Sequence, residues 1–120
     1  MTSAVVLAAA AYTATHATSD QNGRGIRAID ISINMTAVPG TDTVTPHIQG
    51  KAADGTYYDI LVGTAISTIS ETILRVGENI TSVANLAANA QIPDIWRINF
   101  VHSAATSFTY NACANMKNEF

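Results

Sequence analysis

The sequence predicts an all-β protein, an antiparallel β-sandwich of about seven strands in an immunoglobulin-like or jelly-roll-like arrangement. Apolar and polar residues alternate with a period of two, most clearly from Ile29 to Met35, which places one row of side chains in a core and the other outside it. Turn signals such as Pro39-Gly40 and Asp54-Gly55 separate the alternating runs. The length of 120 residues suits one hydrophobic core, so we expect a single domain over residues 1–120.

The N-terminal region predicts one strand followed by a polar connection. The apolar run AVVLAAAA at residues 4–11 is too short to span a bilayer, and no Lys or Arg precedes it. We therefore interpret it as a first strand rather than as a signal peptide. The polar stretch at residues 15–24, which contains an Asn22-Gly23 turn signal, predicts a mobile loop or arm between the first two long strands.

The middle of the chain predicts three strands. The first covers residues 26–38 and has its isoleucines on one face. The second covers residues 43–51, and Pro46 within it suggests an edge position or a bulge, because proline has no N–H group to donate to a neighbouring strand. Asp54-Gly55 favours a hairpin turn, which connects the second strand to a third at residues 57–62.

The C-terminal third predicts three more strands and one long connection. A weaker strand is expected at residues 72–76, and two regular strands are expected at residues 95–102 and 107–116. Residues 78–92 are rich in Ala and Asn and are long for a simple connection. Their apolar residues form a partial helical stripe, but asparagine lowers helix propensity. We expect one long loop or a short helix there.

Composition excludes several classes of protein and site. Charged residues make up only 12% of the chain, and the formal net charge is −3. The cations are scattered, at Arg24, Arg27, Lys51, Arg75, Arg97 and Lys117. Without a basic patch, nucleic-acid binding is disfavoured. Cys113 is the only cysteine, which excludes an intrachain disulfide and a cysteine-based zinc site, and we interpret it as an inert strand residue.

The sequence contains no motif typical of a catalytic, cofactor-binding or metal-binding site. His16, His47 and His102 belong to three different elements without the spacing of metal ligands, so we interpret them as unrelated surface or edge histidines. Asp54 and Asp59 are explained by a turn and a strand face rather than by the paired carboxylates of a glycosidase. No local signature would activate a serine. We therefore expect neither enzymatic activity nor a cofactor.

Candidate interface residues lie on one strand and on the two longest connections. Tyr57 and Tyr58 are adjacent in a predicted strand, so they point to opposite faces and at least one is expected to be exposed. Long connections on a rigid scaffold often carry binding residues. The predicted interface residues are Tyr57, Tyr58, His16, Arg24, Asn85 and Leu86.

Four short runs follow one another in a recognisable order. They are VLAAAAYTAT at residues 6–15, TAVPGT at 36–41, YYDIL at 57–61 after an Asp-Gly turn, and WRINFVH at 96–102. Together they resemble a family of small virion proteins encoded in the genomes of tailed bacteriophages. The resemblance spans nearly the whole chain, and it implies a β-sandwich and a place in the virion, but no catalytic residue.

The resemblance further implies a structural role, foremost that of a capsid decoration (cement) protein that binds the outer capsid surface and stabilises the head. Such a protein would bind the major capsid protein and copies of itself, as a dimer or trimer, and neither nucleic acid nor membrane. It would be made in the cytoplasm of the host bacterium and be located on the capsid surface. Two alternatives stay open, a tail or head–tail junction structural protein and a carbohydrate-binding or host-attachment module.

Overall fold

A computed structural model describes residues 2–118, and these residues form ten β-strands and no helix. The strands are β1 (Thr2–Tyr12), β2 (His16–Ala17), β3 (Gln21–Asn22), β4 (Ala28–Ala37), β5 (Val44–Lys51), β6 (Tyr57–Val62), β7 (Ser70–Gly77), β8 (Ala87–Asn89), β9 (Ile95–His102) and β10 (Phe108–Lys117). The predicted strands correspond to β1, β4, β5, β6, β7, β9 and β10, which confirms the predicted all-β fold class.

The strands form two sheets of five. Sheet A has the order β1-β10-β4-β7-β8, and sheet B has the order β2-β9-β5-β6, with β3 also paired to β9. The strand pairs are antiparallel except β7–β8, which is parallel. The inner faces of the two sheets pack on each other and leave two outer faces, so the architecture is a sandwich.

The core lies between the sheets and follows from the alternation in the sequence. In β4, Ile29, Ile31 and Ile33 are buried, and the polar residues between them point outward. Phe100 of sheet B contacts Tyr110 of sheet A, with ring centroids 4.9 Å apart. Burying one such side chain contributes about 1.5–3 kcal/mol relative to leaving it exposed. The largest fully buried side chains are Trp96, Tyr110, Phe100, Phe108, Ile29, Ile31, Ile33, Met35, Ile48, Leu74, Ile98 and Val44.

The prediction of an edge position or bulge at Pro46 is wrong. Strand β5 lies between β9 and β6, and the register shift between β5 and β6 falls at Ile48 and Gln49. Strand β6 ends before it reaches Pro46, whose carbonyl oxygen accepts a hydrogen bond of 2.8 Å from the Gly63 N–H. An interior strand therefore tolerates the proline, because the missing donor points beyond the end of the neighbouring strand.

Residues 15–24 are not a free arm. They contain β2 and β3, which both pair with β9, so that His16 lies opposite Phe100 and Gln21 lies opposite Trp96. Between them, the Thr18 N–H donates to the Ile98 carbonyl oxygen at 2.9 Å. The segment closes one edge of sheet B. A strand of two residues is too short to show alternation of apolar and polar residues. The polar composition of the segment therefore predicted a loop.

Residues 78–92 form a loop with a short strand, and the helix considered for this segment is absent from it. Asn79 and Asn85 adopt the left-handed region, with φ of 62° and 65°, which ends any helical turn. The Asn89 side chain accepts a hydrogen bond from the Asn79 N–H at 3.2 Å. Strand β8 then pairs with the end of β7, so the asparagines that lower helix propensity here build turns instead.

Candidate interaction surfaces

The outer face of sheet B carries a network of polar side chains that begins at Asp20. The Tyr57 hydroxyl donates to Asp20 Oδ1 at 2.7 Å, and Lys51 Nζ donates to Asp20 Oδ2 at 3.2 Å. These two hydrogen bonds hold the pKa of the Asp20 carboxyl below its ordinary value. The Arg97 guanidinium lies 3.4 Å from the centroid of the Tyr57 ring, a cation–π contact.

The same network continues across β5 to the far edge of the sheet. Arg97 Nε donates to Gln49 Oε1 at 2.9 Å, and Gln49 Nε2 donates to Asp59 Oδ1 at 3.0 Å. His47 Nδ1 lies 3.2 Å from the same carboxylate oxygen. Because the charged groups on this face already have partners, removing water from it would gain little and would weaken their solvation. This face is suited to contact with solvent.

Tyr57 and Tyr58 point to opposite faces of β6, as the sequence predicted. Tyr58 is exposed and its ring lies over Gly50, where an added Cβ would come within 2.6 Å of the Tyr58 hydroxyl. Tyr57 is half-buried, and one face of its ring is occupied by the Arg97 guanidinium. Stacking of a sugar on that face of Tyr57 would have to displace the Arg97 guanidinium.

The outer face of sheet A consists of three rows of neighbouring side chains that cross the strands. The central row contains Val5, Cys113, Ser32 and Ile73. The Arg75 row contains Ser3, Asn115, Asp30 and Arg75, and the Glu71 row contains Asn111, Asn34 and Glu71. No residue of the central row is charged. Within the described residues, the only ion pair in the three rows lies in the Arg75 row and joins Arg75 Nε to Asp30 Oδ1 at 3.5 Å.

This face also exposes apolar side chains, as does the outer face of sheet B at Val62 (39% exposed) and Ile95 (37% exposed), but here they adjoin an uncharged row. Val5 is 66% exposed, and Ile73 is exposed at the other end of the central row. Between β7 and the following loop lies a depression of about 440 Å³, here called the β7 groove, lined by Ile73, Ile80, Val83 and Leu86 together with Arg75, Thr81 and Ala87. Clusters of exposed apolar side chains beside polar ones are typical of protein interfaces.

Strand β1 forms a free edge of sheet A. It pairs with β10 on one side, and no strand within residues 2–118 pairs with its other side. Its eleven residues include no charged residue and no proline, the usual devices that keep a sheet edge from binding another strand. Its register with β10 shifts twice, between Val5 and Leu7 and between Leu7 and Ala10. Neither charge nor proline therefore protects this edge.

His16 and His102 are not unrelated surface residues, which corrects the interpretation from sequence. His102 Nε2 lies 2.9 Å from the Tyr110 hydroxyl, and His16 Nε2 lies 3.4 Å from the same oxygen. The His16 ring also stacks on Tyr12, with centroids 4.2 Å apart. These rings fill one end of the sandwich between the sheets. The alternation of β9 is the signal that could have placed His102 inside, since it shares a face with Phe100.

The six predicted interface residues do not form one surface. Arg24 lies 3.6 Å from Asp94 and lines a depression of about 490 Å³ beside Asp20. Asn85 and Leu86 lie together in a turn, and Leu86 lines the β7 groove on the opposite sheet. His16 is half-buried, and its ring stacks on Phe100 at the aromatic end of the sandwich.

Sequence reasoning overlooked Glu71, Ile73 and Arg75, which share the outer face of β7. An isoleucine between two charged residues on the polar side of a strand breaks the alternation, and that break is a signal of an exposed apolar contact.

The described residues show neither a grouped metal-ligand site nor a membrane-spanning helix. Within residues 2–118, no three His, Cys, Asp or Glu side chains are grouped in a way that could hold a metal ion. That part of the chain also contains no helix long and apolar enough to cross a membrane. The candidate sites of the described residues are therefore surfaces: a solvated polar face, a partly apolar face and an uncharged strand edge.

Comparison with known proteins gives one structural similarity. No family model matches the sequence, and no curated protein matches it. The fold is similar to that of the SPBc2 prophage-derived protein YomS in its crystal structure, with a TM-score of 0.53 and 12% sequence identity. The alignment covers 97% of this chain and 92% of YomS. At this level of identity the similarity shows a shared fold alone.

Proposed function

We propose that this chain is a structural protein of a tailed-bacteriophage particle, specifically a capsid decoration (cement) protein. The observation that carries the proposal is the contrast between the outer faces of the sandwich. Sheet B presents paired charges to water, whereas sheet A presents an uncharged row, a groove lined mostly by apolar side chains and an uncharged edge strand. The resemblance of the four sequence runs to phage virion proteins, and the fold shared with a prophage-derived protein, support the assignment.

In this role the protein acts by adding contact area. It binds the outer surface of the major capsid protein and associates with copies of itself, and it needs no cofactor. Contacts made only in the intact shell stabilise that state by mass action, so the shell resists the pressure of the packaged DNA better. The protein is made in the cytoplasm of the host bacterium and is located on the capsid surface.

The β1 edge is the surface proposed to contact the capsid. An uncharged strand edge can add to a strand or extended loop of the capsid protein through backbone hydrogen bonds. The exposed side chains of Ala8, Ala9, Ala10 and Ala11 are small, so they leave these backbone groups accessible. The polar face of sheet B then remains in contact with solvent.

The test is electron microscopy of particles, combined with DNA release on heating. Particles that carry the protein are expected to show it on the outer capsid lattice and to release DNA at a higher temperature than particles without it. Equal release temperatures would contradict a stabilising role. Density in the tail would favour the tail or junction alternative, and absence from particles would overturn the assignment to the virion.

A pair of variants tests the β1 edge. The double variant Ala9→Lys with Ala11→Lys places charges along the edge and is expected to lose particle binding, since charged side chains block strand addition. The matched control, Thr45→Lys with Asn99→Lys, adds the same charge to the outer face of sheet B and is expected to bind as the unmodified protein does. Equal binding by both variants would exclude the β1 edge.

A further inference from the structure

We propose that two copies of this chain associate through the outer face of sheet A, about a two-fold axis that runs along the central row. The inference deepens the proposed function, on which it rests for the expectation that copies associate. It adds the face, the axis and the residue pairs, none of which that function specifies. A two-fold interface uses the same surface on both protomers, so the surface must complement itself.

The two-fold axis determines which residues of the two protomers lie opposite each other. An axis that lies between the two faces and perpendicular to the strands keeps each residue at its position along a row and reverses the order along each strand. Ile73 then meets the partner's Ile73, and Cys113 meets the partner's Cys113. The Arg75 row of one protomer meets the Glu71 row of the other. Each strand runs antiparallel to the strand that it covers.

The charges on this face are complementary in that arrangement. Arg75 and Glu71 lie two residues to either side of Ile73 on the same face of β7. The two-fold axis therefore places Arg75 against the partner's Glu71, twice in the dimer. Asp30 lies against the partner's Asn34, whose amide can donate to it. The central row carries no charge, so no like charges are brought together at the axis.

The exposed apolar side chains are also complementary. Ile69 is 68% exposed and directly precedes β7. Along the chain it lies on the Glu71 side of Ile73, whereas Leu86 and Ala87 of the groove lie beside Arg75. Since the axis exchanges these two sides, Ile69 of one protomer comes to the side of Ile73 on which the partner's Val83 and Leu86 are exposed. Ile69 and the partner's exposed loop side chains would lose contact with water, which favours association.

The available area is sufficient, and the alternative face is less suitable. An interface of standard size buries about 800 Å² per partner, and the outer face of sheet A offers five strands, four of which have eight to eleven residues each. On sheet B, a face-to-face dimer would desolvate Asp20, Lys51 and Arg97, which already satisfy one another or their neighbours. Sheet A has one ion pair of its own, Arg75–Asp30, but its central row is uncharged, and the two-fold arrangement adds two Arg75–Glu71 contacts there.

Cys113 provides a direct measurement because it lies on the proposed axis. With the purified full chain, we expect sedimentation velocity to show a concentration-dependent dimer. A short bis-maleimide is expected to cross-link Cys113 of the two protomers. The control variant Cys113→Ser with Asn99→Cys moves the thiol to the outer face of sheet B and is expected to give no cross-link. A monomer at every accessible concentration, or a dimer cross-linked only in the control variant, would overturn the proposal.

Charge reversal tests the residue pairs. Glu71→Lys and Arg75→Glu each place like charges together and are expected to weaken self-association by more than about tenfold. When the two variants are mixed, both cross-axis contacts pair opposite charges, so a heterodimer is expected. Val62→Asp, on the outer face of sheet B, is the control and should leave the dimer intact. A mixture that stays monomeric, with both variants folded by circular dichroism, would contradict the proposed register.

Failure of this inference is distinguishable from failure of the proposed function. A monomer that still decorates the capsid would overturn the dimer and leave the decoration role standing. A dimer that forms as described but never associates with particles would overturn the decoration role and leave the interface standing.

Discussion

At the scale of single residues, the most consequential side chain is His102. It is buried, its Nε2 atom contacts the Tyr110 hydroxyl, and its Nδ1 atom has no hydrogen-bond partner within residues 2–118. Burial, and then the nearby His16, lower the pKa of His102 below its ordinary value. Burial likewise raises the pKa of the Tyr110 hydroxyl far above its ordinary value. Both groups are therefore neutral in the folded protein at neutral pH.

This environment predicts that protonation of His102 lowers the stability of the folded protein as the pH falls. Because the pKa of His102 is lower in the folded chain than its ordinary value of 6.5, the unfolded chain binds the proton first as the pH drops. The contribution of His102 is therefore fully present above about pH 6.5 and declines below it. Thermal unfolding between about pH 7.5 and 5.5 is expected to show this decline, and His102→Gln should reduce it.

The control for this prediction is His47→Gln, which removes one histidine from the outer face of sheet B. An equal decline in the unmodified protein and in His102→Gln would show that His102 is not the responsible group.

At the scale of elements, the two faces of one strand differ in what they contribute. Ile98 and Asn99 are neighbours in β9, and Ile98 is buried whereas Asn99 is half-buried on the outer face. Ile98→Ala removes buried volume from the core and is expected to lower the free energy of unfolding by about 2–5 kcal/mol. Asn99→Ala should change it by no more than about 0.5 kcal/mol. Urea denaturation measures both, and similar losses would contradict the assignment of the faces.

The long strands were predictable because the sequence alone encodes their faces. Ile29 to Met35 alternate without a break, and burial of one row leaves only one way to orient the strand. Strands β2, β3 and β8 could not be found in this way. They are two or three residues long and exist because a partner strand is beside them, which is a property of the tertiary structure.

The candidate surfaces were predictable only in part. Leu86 was a candidate because long loops carry binding residues, and it does line the β7 groove. The Arg75, Ile73 and Glu71 series was not found, because the sequence does not show which strands lie beside β7. The pairing of β7 with β4 is what joins Ile73 to the central row. Neighbours across a sheet are fixed by topology, and the strand order here is not the chain order.

At the scale of the whole molecule, the chain closes sheet A with its most distant parts. Strand β10 lies between β1 and β4, and Ser3 hydrogen bonds to Asn115, 112 residues away in sequence. Contacts of such long range require a large loss of chain entropy before they form. Refolding from urea is therefore expected to take milliseconds to seconds, as in other sandwiches, rather than microseconds.

Mutations in β1 test whether this strand pairs with β10 late in folding. Val6 is buried, and its strand pairs only with β10. If β1 joins last, Val6→Ala should speed unfolding and leave the folding rate nearly unchanged. Ile31→Ala in β4, a strand with neighbours on both sides, is the comparison. If Val6→Ala instead slows folding in proportion to the stability it removes, β1 belongs to the folding nucleus.

The position of β10 between β1 and β4 also affects synthesis on the ribosome. Strands β4 and β7 can pair while the chain is still growing, but β1 has no neighbour until residues 108–117 leave the exit tunnel. At about 5–20 residues per second, β1 waits roughly 5–20 seconds, uncharged and unpaired. During that time it is a target for chaperones and for other nascent chains on the same messenger RNA.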